Sequence, residues 1–173
     1  MKKILSVFLA VLVLIFVSCE PQNQPSKPSG GSSGTSTNTL TPDKLEGSYV
    51  LDVSGSIPLT GSNGNSGTHD MTSTGKIINI AKSSSNNSQV VVTGYYGTRI
   101  GEIKGNKLYI EGSSGTSTSS TQTITVSIEH NGASLSGTQL TWTSNVTIKG
   151  EGRGNYSGTV TGTGTIKNIA KKM

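Results

Sequence analysis

Cys19 is the only cysteine in this chain of 173 residues, so no disulfide can close within it. Two histidines and no second cysteine leave no zinc pattern. The nine carboxylates stand singly, without the Asp-x-Asp-x-Asp run of a calcium loop. Gly150, Gly152 and Gly154 are spaced glycines, but no strand-to-helix context follows them, and they read as a flexible loop rather than a phosphate cradle. No cofactor is therefore expected. Charge is sparse as well, at 13% of residues, and Lys171-Lys172 is the only adjacent basic pair after the N-terminal lysines. Nucleic-acid binding needs basic residues gathered on one stripe, so nucleic acid is excluded as an expected partner. Helical periodicity is missing throughout the second half of the chain and most of the first.

What is present begins at the N-terminus. Lys2 and Lys3 precede an apolar run over residues 4–17, broken only by Ser6. As a helix it would span roughly 21 Å, short of the ~30 Å hydrocarbon core, and so it reads as a signal-peptide segment rather than a membrane span. Phe16-Val17-Ser18-Cys19 follows at once, a small residue directly before the sole cysteine. This resembles the lipobox of bacterial lipoproteins of the Bacteroidetes type, although Phe16 stands where leucine is usual. The resemblance implies a signal peptide over 1–18 and a lipidated Cys19 that holds the protein in the cell envelope, at the periplasmic face of the outer membrane or the cell surface. An ordinary signal peptide with an unrelated free thiol is the alternative.

Once Lys2 and Lys3 are removed, 12 basic residues face 9 acidic ones, a formal +3 that serves solubility. Residues 19–39 hold the cysteine, three prolines and a Gly/Ser-rich end, with no apolar side chain after Cys19. Such a stretch reads as a flexible tether with a span on the order of 25 Å. A single all-β domain is expected over 40–173, with no helix.

Alternation with period two marks its strands. Tyr49, Leu51 and Val53 alternate with polar or outward neighbours, and Ile124, Val126 and Ile128 are separated by threonine and serine. Lys104-Gly105-Asn106-Lys107 reads as a two-residue hairpin that pairs Ile103 with Leu108 and Glu102 with Tyr109. His130-Asn131-Gly132-Ala133 reads as a type I′ hairpin that pairs Ile128 with Leu135 and leaves His130 solvated at a turn. That register would put Leu140 and Trp142 on the wrong face, so a β-bulge near Gly137 is expected to restore the core. Gly162 and Gly164 are expected to face inward between Val160 and Ile166, where a strand coils tightly. Two internal echoes stand out. Residues 74–82 match 163–171, as a duplicated sheet half would, and Ser-Gly-Thr recurs at 33, 66, 114, 136 and 157, which composition explains.

Many short strands joined by Gly/Asn/Ser turns point to an antiparallel meander that closes into a small up-and-down barrel, because closure removes exposed edges. Gly47-Ser48-Tyr49 and the strand order after it resemble the lipocalin-like lipoproteins of Gram-negative bacteria over roughly residues 45–170, with Tyr49 where tryptophan is usual. An immunoglobulin-like sandwich is the alternative.

Chemistry-bearing residues are few. His69-Asp70 are neighbours, but adjacent strand residues point to opposite faces, which defeats a catalytic pairing. Glu102 and Glu111 read as outer-face charges rather than a glycosidase pair. Thr159, Thr161, Thr163 and Thr165 share one strand face, read as an ordinary polar exterior because a water-ordering array would need several such strands. Tyr49, Leu51, Tyr95, Tyr96, Tyr109, Trp142 and Tyr156 are the candidate ligand-binding residues, since flat rings line pockets and stack on sugars. The resulting expectation is a monomeric, non-catalytic module at the membrane that takes a small lipid-like ligand in a barrel mouth. Its competitors are a structural or adhesive protein that binds glycans or proteins through its exterior, and a hydrolase.

Overall fold

The computed structural model describes residues 39–152 and 158–173. One turn of helix, α1 (Pro42–Leu45), precedes twelve antiparallel strands. They are β1 (Gly47–Ser54), β2 (Ser56–Gly61), β3 (Ser66–Asp70), β4 (Ser73–Lys82), β5 (Gln89–Gly94) and β6 (Arg99–Lys104). The rest are β7 (Lys107–Ile110), β8 (Ser113–Thr118), β9 (Gln122–His130), β10 (Ser134–Ser136), β11 (Gln139–Gly152) and β12 (Thr159–Lys172). The chain is thus all-β, in one curled sheet. The expectation of no helix fails by the single turn α1, which Pro42 opens with its fixed φ and Leu45 buries.

The twelve elements behave as eight longer strands. β1 and β2 run along β12 in one register, Ser54 opposite Lys167 and Leu59 opposite Gly162, across the break at Gly55. β3 and β4 likewise follow β2 and β1, with a register shift at Leu51/Val53, beside Gly75 at φ 67°. β7 and β8 follow β10 and β9, Leu108 opposite Ala133 and Ser113 opposite Ile128. Counted this way the strands pair in chain order, β1–β2 with β3–β4, then β5, β6, β7–β8, β9–β10, β11 and β12, and β12 returns to β1. That is the order of an up-and-down meander and not of a sandwich.

One end of this sheet is a closed ring, sealed by two backbone bonds between Leu108 and Ala133 of 2.9 and 2.7 Å. β5 and β6 are short and stop partway, so among the described residues the other end is a six-stranded half-barrel that ends at β3 and β8. α1 covers the closed end: Leu40 and Leu45 are buried, the Leu40 amide donates to Asn106 Oδ1 at 2.8 Å, and the Tyr49 hydroxyl donates to the Leu45 carbonyl at 2.6 Å.

Local chemistry explains most of the pairing. The hairpin at Gly105-Asn106 has the expected register, Ile103 with Leu108 and Glu102 with Tyr109. The second hairpin does not. β9 and β10 lie end to end along β11, and the reversal falls at Gly137-Thr138, where Leu135 meets Leu140 and Gly137 takes φ 58°. The irregularity sits at residues 131–133 instead: His130 opposes Ser144 and Ser134 opposes Thr141, so three residues face two. A one-residue slip is needed to bring Leu135 inward beside Leu140, and it occurs at Asn131-Gly132 rather than at Gly137. Asn-Gly is drawn there by tertiary closure, since Ala133 bonds β7.

β11 continues as strand through Gly152, so Gly150 and Gly152 are not in a loop. Gly154 and Tyr156 lie outside the described residues, as does Cys19. Gly162 and Gly164 do face inward, where Leu59 and Ile57 fill the space that side chains would take.

Candidate functional site

The inner face of the barrel is lined by buried, mostly apolar side chains. Tyr49, Leu51, Ile78, Leu108, Leu140 and Ile166 are fully buried. At the level where β5 and β6 stop, the turn between them folds Tyr96 into the barrel against a set of polar side chains from three other strands.

That polar set is a directed chain of hydrogen bonds. The Tyr96 hydroxyl donates to Asn168 Oδ1 at 2.5 Å, and Asn168 Nδ2 donates to Ser144 Oγ at 2.8 Å. Ser144 Oγ lies 2.7 Å from His130 Nδ1, and the Trp142 indole N–H points to the same nitrogen at 3.3 Å. An indole nitrogen only donates, so His130 Nδ1 accepts and the ring proton sits on Nε2. Nε2 is buried without a hydrogen-bond partner among the described residues. The Tyr96 and His130 rings meet edge-on with centroids 4.8 Å apart, and Tyr95 meets Tyr96 in the same way at 5.0 Å. Burial, reinforced by the nearby Arg99 charge, holds the His130 pKa down at about 4, and burial pushes the Tyr96 hydroxyl up. His130 is thus a neutral acceptor within the fold, not a solvated turn residue.

A serine hydroxyl on a histidine nitrogen invites comparison with a hydrolase. Ser144 has no exposed surface, and the charge nearest the imidazole is a guanidinium where a nucleophile-activating base needs a carboxylate. The arrangement pairs buried polar groups of β9, β11 and β12 with one another and with Tyr96, leaving His130 Nε2 aside.

The candidate residues therefore divide. Tyr96 and Trp142 come together at this network, with Tyr95 half-buried beside them. Tyr49 and Leu51 are core residues of β1. Tyr109 stands apart on the outside of β7, 41% exposed. His69 is buried and Asp70 exposed, the opposite faces expected of strand neighbours; burial lowers the His69 pKa against the pull of Asp70. Glu102 pairs with Lys104 at 2.9 Å, as an outer-face charge does. Sequence reasoning missed Ser144 and Asn168. Their signal was a polar residue at an inward position of an otherwise apolar alternation.

The outer face of the half-barrel is the second feature. One row across all six strands reads Thr116, Thr125, Lys149, Thr161, Thr60 and Ser66. The neighbouring row carries Ser114, Ser127, Thr147 and Thr163. The threonines of β12 are thus one column of a hydroxyl grid spread over several strands, on a sheet that is curled rather than flat. Between β8 and β9 the hydroxyls bond in pairs, Ser114 with Ser127 and Thr116 with Thr125, each at 2.9 Å.

No family model, curated protein or solved structure matches the chain. Among the described residues no helix is long and apolar enough to cross a membrane, and no group of three or more His, Cys, Asp or Glu side chains is placed to hold a metal ion.

Proposed function

We propose that the protein is a lipid-anchored, non-catalytic module of the cell envelope, held by Cys19, that recognises hydroxyl-rich polymers such as glycans through its exterior. The observation that carries this reading is the division of the sheet: its inner face is lined by buried, mostly apolar side chains, and its outer face offers rows of hydroxyls. With Tyr49, Leu51, Tyr96 and Trp142 all buried, a small apolar ligand in the barrel mouth has less to recommend it than exterior contact. An aromatic surface for exterior contact is not at Tyr96, which is buried. Hydroxyl rows take its part, each threonine both donating and accepting.

The full chain, extracted in detergent, tests this on a glycan array beside the double variant Thr125→Val, Thr161→Val. Binding that is lost in the variant supports the reading. Binding that persists, or a Trp142 fluorescence change on titration with lipid alone, overturns it. The anchor is tested separately: a fatty-acid probe should label the wild type and leave Cys19→Ala unlabelled and released from membranes.

A further inference from the structure

Edge strand β8 has a duplicate. Residues 112–118 read Gly-Ser-Ser-Gly-Thr-Ser-Thr, and residues 31–37 read the same seven in the same order. One copy of the heptapeptide is paired on β9. The other lies before the folded domain, in a stretch without an apolar side chain from 20 to 39 to dock it in a core.

We infer that residues 31–37 of one molecule take the place of β8 on β9 of a second molecule, so that β8 is an exchangeable edge and the partner is another copy of this chain. Three observations carry this. The pairing is chemically interchangeable: Ser33, Thr35 and Thr37 would meet Ser127, Thr125 and Thr123 as Ser114, Thr116 and Thr118 now do. Every ladder bond and hydroxyl pair lost by displacing β8 is re-formed one for one.

Displacement also exposes little. Ser113, Gly115 and Ser117 are the inward residues of β8, and none has an apolar side chain to strip from the core. Among the described residues no strand lies on the far side of β8, so the described sheet holds it along one edge.

Finally, the segment cannot reach its own β9. In this register Thr37 would lie opposite Thr123, yet Leu40 is fixed at Asn106 by its amide. Asn106 and Thr118 are separated by twelve residues of mostly extended chain, ~40 Å, whereas the three residues from Thr37 to Leu40 span at most ~11 Å. The exchange is therefore between molecules, the low-cost route to association that swapping an identical element provides. It needs no lipid. On the anchored reading of Cys19, copies sharing one membrane would meet at a raised effective concentration.

The test is directed cross-linking in the full chain carrying Cys19→Ser, which removes other thiols and any dependence on the anchor. A copy with Thr35→Cys is mixed with a larger-tagged copy with Thr125→Cys and oxidised at high protein concentration. The expected result is a mixed disulfide dimer, several-fold above that formed with a Thr60→Cys copy, and its loss when Ser33→Pro is added to the first copy. Should Thr125→Cys not reproduce the wild-type Trp142 fluorescence, Thr37→Cys with Thr123→Cys reads the next pair. The inference is overturned if no mixed dimer forms. It is equally overturned if Thr35→Cys joins only Thr116→Cys, which is addition outside β8, or if a chain carrying both thiols closes on itself.

Discussion

His130 has two histidine-specific duties, accepting at Nδ1 from Trp142 and Ser144 and remaining uncharged beside Arg99. Its pKa near 4 in the fold lies below the ~6.5 of an unfolded chain. As pH falls through 6.5 the unfolded state takes up a proton that the folded state refuses, so stability declines, and the loss is complete below about pH 4. At ~1.4 kcal/mol per pH unit the effect approaches 3 kcal/mol. The Arg99 charge adds to the lowering of the His130 pKa, and burial moves the neighbouring Tyr96 hydroxyl upward, away from this window. Urea midpoints measured from pH 7 to pH 4 should fall in the wild type and fall much less in His130→Gln, with a residue of slope from buried His69. An equal slope in both proteins would remove His130 as the cause.

Elements show where local signals suffice and where they do not. Gly105-Asn106 sets its hairpin because nothing else competes for the turn. Asn131-Gly132 has the stronger turn sequence and yet makes no hairpin, because Ala133 must reach Leu108 to close the ring. The echo of 74–82 in 163–171 is equally misleading. Those segments flank β1 on its two sides, but Ile77 is 44% exposed where its counterpart Ile166 is 1% exposed. Similar sequence with opposite burial is not a repeated sheet half. The inward glycines, in contrast, are legible from alternation alone. A Cβ at Gly162 would lie 2.5 Å from both Leu59 Cδ2 and the Pro58 carbonyl oxygen, whereas at Gly164 the nearest atom is a mobile Ile57 Cδ1 at 2.9 Å. Gly162→Ala should therefore cost about 1–3 kcal/mol in denaturant unfolding, and Gly164→Ala distinctly less. Equal losses would contradict the close approach at Gly162.

For the molecule as a whole, the closed ring and the half-barrel are not separable bodies. β11 and β12 run through both, and β1–β2 and β3–β4 pass from one to the other with their pairing maintained. Unfolding should be a single transition, with calorimetric and van't Hoff enthalpies equal; two resolved peaks would show that the halves melt independently.

The sequence by itself determined that the domain is built of strands and which residues face inward along most of them, because side-chain alternation is a property of the backbone pleat. It also determined one hairpin and the meander order, since antiparallel neighbours joined by short turns have few other places to go. Only the tertiary structure decided where the ring closes, which of two turn-like sequences turns, and that Tyr96, His130, Trp142, Ser144 and Asn168 meet. Those outcomes depend on contacts between residues as much as 72 apart, as in the bond from Tyr96 to Asn168. A buried polar group finds its partner only after the strands have been brought together, and no local pattern records which strand will supply it.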